Sequence, residues 1–186
     1  MPDNLQLKHE RFCGEKVLEI LRISHSDFRH GNPGDSEPDL IFQIGEDQLG
    51  IEVTSAFPED DPSYPNRHAR AAWEFARNPT FDERGIHQMP GGVDPDKNLA
   101  KEIEERLHEK CRRRYQCAGE NWLVIYAETV VTESHELDNA LQGMQIPASN
   151  CFERIFILHV TVERHGGYRA HQIFPHLADY FDATTR

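Results

Sequence analysis

Two acidic residues lie in a segment whose pattern predicts a β-hairpin. Residues 39–44 (DLIFQI) and 48–56 (QLGIEVTSA) alternate apolar and polar side chains on either side of a short turn that begins with Gly45. A two-residue turn with glycine in the first position suits the type II′ geometry. Because the apolar side chains of both strands must reach one core, the register sets Asp39 directly opposite Glu52. Side chains paired in this way have Cβ atoms about 5 Å apart.

Carboxylates at that separation repel each other when both are charged. A divalent cation removes the repulsion, and hard oxygen ligands together with waters are what magnesium selects. The same two residues also have a simpler interpretation, in which Asp39 follows a proline turn and Glu52 is an ordinary solvent-facing strand residue. Residue types and spacing leave both interpretations open.

The segments around the hairpin predict the elements that would hold it in place. Residues 9–23 carry apolar side chains at helical spacing, which predicts an amphipathic helix, and residues 30–38 have the Gly and Pro content of a loop. Continuous apolar segments at 122–127 and 154–162 predict buried strands. Together with the hairpin, these elements indicate a mixed α/β domain.

The remaining segments predict further helices, a loop and a last strand. The strongest helical pattern runs from Asp94 to about Tyr115, and weaker ones lie at 66–77 and 134–142. Two more segments are a long loop at 79–93 and a strand at 168–174 that would pair with the strand before it. The whole chain, residues 1–186, is expected to form a single domain.

Pro38-Asp39, a hairpin and then Ile51-Glu52-Val53-Thr54 resemble the PD-(D/E)XK nuclease superfamily, the restriction-endonuclease-like fold. The resemblance covers residues 9–128 and implies a mixed sheet flanked by helices, with the core order α-β-β-β-α-β. Residues 129–186 would then be a C-terminal elaboration of strand and helix.

The helix before the hairpin supports the resemblance. Residues 14–21 (GEKVLEIL) are similar to the helix that precedes the hairpin in such nucleases and in archaeal Holliday-junction resolvases, where an acid near the start of the helix joins the site. Glu15 matches that acid best, and Glu10 and Glu19 are the alternatives.

The resemblance implies a metal-dependent nuclease that hydrolyses phosphodiester bonds in DNA with magnesium or manganese. Asp39, Glu52 and the backbone carbonyl of Val53 match the metal ligands, and Glu15 would assist them. Thr54 occupies the position of the family's catalytic lysine. Threonine offers a hydroxyl group there but no positive charge beside the phosphate.

Three consequences of this substitution stay open. Thr54 would position the attacking water through its hydroxyl group, or a lysine would come from the later helix, where Lys97, Lys101 and Lys110 are candidates. Alternatively, the site has lost its activity and the fold serves as a protein-binding or regulatory module. The three lysines have a simpler interpretation as a solvated helix face, since lysine is mostly exposed.

Two basic segments are candidates for contacts with a nucleic-acid backbone. Arg70, Trp73 and Arg77 lie at helical spacing, so that one face could stack on bases and pair with phosphates. Residues 112–114 are three consecutive arginines, which could contact phosphates or simply stabilise the C-terminus of a helix. Arg70, Lys97 and Lys101 are the predicted substrate-binding residues.

Composition limits the remaining choices. With 32 acidic and 20 basic residues the net charge is −12, so DNA is expected to bind through a local groove rather than through the overall field. The four cysteines form no CxxC pair and the eleven histidines match no metal-ligand spacing. No apolar segment is long enough to span a membrane and the first residues lack a signal-like core, which predicts a cytoplasmic protein without a membrane partner. The sequence leaves a homodimer open.

Overall fold

Seven strands of the described part of the chain form one mixed sheet, in the order in which they occur in the sequence. The structure, a computed structural model, describes residues 4–56, 95–127, 141, 144–161, 167–175 and 181–182. The strands are β1 (Asp27–His30), β2 (Leu40–Ile44), β3 (Asp47–Ala56), β4 (Glu120–Ala127), β5 (Arg154–Thr161), β6 (Gly167–Phe174) and β7 (Phe181–Asp182). The α-helices are α1 (Asn4–Ile20) and α2 (Pro95–Cys111), and a short 3-10 helix spans Pro33–Asp35.

The strand directions make the sheet mixed. Strands β1, β2 and β3 pair antiparallel, β3, β4 and β5 pair parallel, and β5, β6 and β7 pair antiparallel. Parallel neighbours need a crossover connection, and α2 lies between β3 and β4 in the chain. The predicted mixed α/β class is confirmed, including the antiparallel pairing of the predicted strand at 168–174 with β5.

Side chains that alternate along the central strands supply one core to each face of the sheet. On the first face, α1 packs through Cys13 and Val17 against a set of strand residues: Leu40, Phe42, Ile51, Val53, Trp122, Val124, Tyr126, Phe156 and Leu158. On the second face, α2 packs through Leu99, Ile103, Leu107 and Cys111 against Ala56, Leu123, Ile125, Ile155 and Ile157. The two helices therefore cover opposite faces of the sheet.

The hairpin has the predicted register. Leu40 pairs with Ile51 and Ile44 pairs with Asp47, which leaves a two-residue turn. Gly45 has a φ of 62°, and Glu46 is not among the described residues with positive φ, as a type II′ turn requires. The prediction is confirmed, and one further step of the register sets Asp39 opposite Glu52.

The first helix begins and ends earlier than predicted. A Schellman motif ends it, because Ile23 donates its backbone N–H to the carbonyl of Leu18 (2.9 Å) and Arg22 donates to that of Glu19 (3.0 Å). Arg22 has the left-handed φ of 57° that this motif needs at its C′ position. Ile23, the residue after Arg22, therefore packs from outside the helix onto the core of the first face of the sheet.

The other predicted helices have different outcomes. The second helix starts at Pro95, as its pattern predicts, and ends at Cys111 rather than near Tyr115. The elements predicted at 66–77 and 79–93 lie outside the described residues, as does 134–142 apart from Leu141, which is helical. Strands β1 and β7 were not predicted.

Candidate carboxylate site

The two acids of the hairpin hold the start of β2 against β3. The backbone N–H of Asp39 donates to Oε2 of Glu52 (3.2 Å), and the backbone N–H of Val53 donates to Oδ2 of Asp39 (2.9 Å). The register would set Pro38 opposite Val53, but proline has no N–H to complete a ladder pair. Side-chain carboxylates therefore replace the ladder where β2 begins, and this brings both acids to one point.

Glu52 is buried, with 3% of its surface exposed, and two groups from the second face of the sheet bind it. Lys110, in the last turn of α2, donates from Nζ to Oε1 at 2.6 Å. Tyr115, just beyond the end of α2, donates its hydroxyl group to the same oxygen at 3.0 Å. A buried carboxylate needs such partners, since an unpaired charge in the interior is costly. Lys110 thus balances the charge of Glu52.

Asp39 carries the clearest electrostatic perturbation in the site. The pKa of its carboxyl is raised to about 7, most strongly by burial and then by the negative charges of Glu52 and Glu10. The hydrogen bond from Val53 and the charge of Lys110 oppose that shift. At neutral pH the carboxyl group of Asp39 is therefore partly protonated, and a bound cation would favour its ionised form.

A third acid, Glu10 on α1, lies within electrostatic range of Asp39 and Glu52. Its side chain is buried, and Gln6 donates to its Oε1 at 2.8 Å. Burial raises the pKa of Glu10, the hydrogen bond from Gln6 and the charge of His30 lower it, and the charge of Glu52 raises it again. The interaction with Glu52 shows that Glu10 lies within electrostatic range of the carboxylate pair.

Of the acids on α1, Glu10 is the one whose charge acts on the carboxylate pair, and not Glu15, which was the best match by resemblance. Five helical positions correspond to about 140° of rotation, so the two acids lie on different sides of α1. Glu15 lies at the surface and accepts from Arg11 at 2.9 Å. Glu19, the other alternative, is exposed and pairs with Lys16.

The lysine that reaches the carboxylates is Lys110. Thr54, in the predicted lysine position, is half-buried on β3, two residues beyond Glu52 and therefore on the same side of the strand. Lys101 is largely exposed and lies 3.6 Å from Glu105. Arg70 lies outside the described residues, as does the side chain of Lys97.

Tyr115 is a site residue that sequence reasoning missed. Its ring packs against Phe152 with centroids 5.3 Å apart, which directs the hydroxyl group to Glu52. Burial and the adjacent Glu52 charge raise the pKa of the phenol, so it stays a hydrogen-bond donor. No local pattern marks such a residue, because its role depends on where the loop after α2 meets β3.

The oxygen donors at this point fit a hard divalent cation. Asp39 and Glu52 provide carboxylates. The N–H and C=O groups of one residue in an antiparallel pair point to the same neighbouring strand, so the carbonyl of Val53 is expected on the side where its N–H meets Asp39. The described residues contain no group of three or more His, Cys, Asp or Glu side chains that could hold a metal ion. Two carboxylates, one carbonyl and waters or a phosphate form the kind of set that magnesium accepts.

Comparison with protein-family models, with curated proteins and with solved structures finds no match to this chain. Neither of the two described helices is long and apolar enough to cross a membrane. What the site can do must therefore be argued from its own geometry.

Proposed function

We propose that this chain is a metal-dependent phosphodiesterase that hydrolyses DNA and has a restriction-endonuclease-like fold. The observation that carries the proposal is the exchange of hydrogen bonds between Asp39 and the Glu52-Val53 segment, with a lysine on Glu52. The described elements α1, β1, β2, β3, α2 and β4 follow one another in the order α-β-β-β-α-β, which that family resemblance implies.

Asp39, Glu52 and the carbonyl of Val53 would hold magnesium or manganese. When bound, the metal would polarise the scissile phosphate and lower the pKa of a water molecule. The raised pKa of Asp39 supports this role, since burial and like charge are the conditions that a bound cation relieves.

Lys110 would take over the function of the lysine that Thr54 replaces. Its ammonium group lies 2.6 Å from Oε1 of Glu52, so it supplies a fixed positive charge beside the carboxylates. A charge held in place before the reaction stabilises a phosphate more effectively than one that must move. Tyr115 would keep Glu52 oriented, and Thr54 would contribute a hydroxyl group on the same side of β3.

Glu10 would assist in the role that we expected of Glu15. Its pKa is raised by burial, which suits a carboxyl group that takes up and releases a proton. Glu10 comes from α1, on the first face of the sheet, whereas Asp39 and Glu52 come from the hairpin. The site would therefore combine residues from both faces of the sheet near the start of β2.

A second candidate function is a catalytically silent member of the same fold that binds a protein or regulates one. The Lys110–Glu52 ion pair favours it, because the lysine already balances one carboxylate without a metal. In that case the hydrogen bonds around Asp39 and Glu52 would serve only to fasten the hairpin to α2.

The test of the proposed function is cleavage of supercoiled plasmid and of short single-stranded DNA with manganese. Wild type would be compared with Asp39→Asn and Glu52→Gln, and with Glu46→Gln as a matched control in the exposed hairpin turn. Loss of cleavage in the two site variants but not in the control would support the nuclease. Equal cleavage by all four proteins would show that this site does not do the chemistry, and no cleavage by any would favour the silent module.

A further inference from the structure

Three consecutive arginines, Arg112–Arg114, follow the last residue of α2 and are here named the arginine loop. This loop connects Lys110 to Tyr115, and both of these residues donate to the same oxygen of Glu52. Consecutive Cα atoms are about 3.8 Å apart, so the backbone of the loop stays within about 8 Å of one of these two residues. The arginine loop is therefore bounded on both sides by residues whose side chains contact Glu52.

The backbone of the arginine loop is held in place. The N–H groups of Arg112 and Arg113 donate to carbonyls in the last turn of α2, at 3.3 and 3.1 Å. Cys151 donates its thiol to the carbonyl of Arg113 at 3.3 Å, and Gln116 donates its N–H to the carbonyl of Ser36 at 2.9 Å. Bonds at both ends fix the direction in which the loop presents its side chains.

All three arginines of the loop are exposed, and they differ in their ion pairs. Arg113 pairs with Glu109 at 2.8 Å, whereas within the described residues neither Arg112 nor Arg114 makes an ion pair. Within the described residues Lys8 and Arg22 are also exposed and without an ion pair, so what singles out Arg112 and Arg114 is their position between Lys110 and Tyr115. Two unpaired arginines beside a carboxylate site indicate a partner that brings its own negative charge.

We propose that Arg112 and Arg114 bind the phosphodiester backbone of the DNA strand that enters the carboxylate site, an inference that rests on the proposed function. Guanidinium groups bind phosphates through paired hydrogen bonds, and such contacts position a nucleic acid without reading its sequence. The arginine loop would be the local basic surface that a chain of net charge −12 needs in order to hold a polyanion.

The test measures binding of a fluorescently labelled DNA duplex over a series of salt concentrations. Every protein would carry Asp39→Asn so that the strand is not cut. Arg112→Gln/Arg114→Gln would be compared with Lys8→Gln/Arg22→Gln, which removes two exposed cations elsewhere and leaves the same net charge. Because both pairs are exposed side chains, neither double variant is expected to change the fold.

The expected result is weaker binding by Arg112→Gln/Arg114→Gln alone, about tenfold at low salt, with the slope of log K against log salt smaller by about 2. Equal binding and equal slopes in the two double variants would overturn the arginine proposal. If the wild-type protein, which retains Asp39, still cleaved DNA in that case, the proposed nuclease function would remain supported. If the wild-type chain neither bound nor cut DNA, the proposed function and the arginine proposal would both fail.

Discussion

At the scale of single residues, Glu52 depends on Lys110 for its charge balance. Glu52 has 4% of its side chain exposed and Lys110 has 13%, so water does little to screen the pair. A carboxylate left without its cation in such a place is costly, whereas a neutral amide is less so. The Lys110–Glu52 pair is therefore expected to matter both for the stability of the fold and for the proposed function.

Lys110→Met is expected to destabilise the fold by about 3 kcal/mol at neutral pH, because it leaves Glu52 buried and unpaired. Lys110→Met/Glu52→Gln should recover part of that loss. The control is Lys101→Met, which removes an exposed lysine from the same helix and should change stability by less than about 0.5 kcal/mol. Urea denaturation would measure all three, and equal effects of the two single substitutions would contradict the burial argument.

His9 provides a prediction about pH. Burial lowers the pKa of this histidine from 6.5 to about 4, and the ring lies against Ser55 and Tyr126. The unfolded chain therefore binds a proton at higher pH than the folded chain does. The stability that the neutral ring contributes is complete above pH 6.5 and is lost as the pH falls towards 4, by up to about 3 kcal/mol.

His9→Gln should remove this part of the pH dependence. The measurement is the free energy of unfolding of both proteins at several pH values between 4 and 7. Wild type should lose more stability than His9→Gln as the pH is lowered through this range. Parallel curves for the two proteins would show that His9 does not titrate as its burial requires.

At the scale of elements, local patterns were sufficient for the hairpin. Apolar residues at every second position and a glycine turn are both local signals, and together they set the register that places Asp39 opposite Glu52. The buried strands β4 and β5 were recognisable as apolar segments for the same reason. Strand β1 was missed because Asp27–His30 is short, lies at the sheet edge and carries no apolar run.

The rest of the site depends on packing between distant elements. The contact of Lys110 with Glu52 spans 58 positions and exists only because α2 crosses the second face of the sheet. Glu10 was ranked below Glu15 because the rotation of α1 on the sheet could not be known from its sequence. Close packing of α1 on β2 fixes that rotation, as a Cβ on Gly14 would come within 2.6 Å of Leu40.

Gly50 gives a prediction for β3. A Cβ at this position would lie 2.6 Å from the ring of Pro38 and 2.8 Å from the side chain of Asn121. Gly50→Ala should therefore push the residue before Asp39 away from β3, destabilise the fold by about 2 kcal/mol and lower manganese affinity. Denaturation and metal titration would test this against Gly34→Ala, whose Cβ would meet only Asn32, at 3.3 Å. Equal stability of the two variants would mean that β3 accommodates a Cβ at position 50 without displacing Pro38.

At the scale of the whole molecule, negative charge is the dominant property. A net charge of −12 attracts cations to any part of the surface, so binding of a divalent ion alone does not identify a site. What distinguishes the carboxylate site is its set of contacts. Glu52 is buried and pairs with Lys110, its carboxylate accepts from the backbone N–H of Asp39, and the carboxylate of Asp39 accepts from the backbone N–H of Val53. The central claim is that Asp39 and Glu52 together bind a divalent cation.

The most direct measurement of that claim is calorimetric titration of manganese into wild type, Asp39→Asn, Glu52→Gln and the turn control Glu46→Gln. One saturable manganese site is expected in wild type and in Glu46→Gln, and its loss is expected in Asp39→Asn and Glu52→Gln. Equal binding by all four proteins, or no saturable site in the wild-type chain, would contradict it.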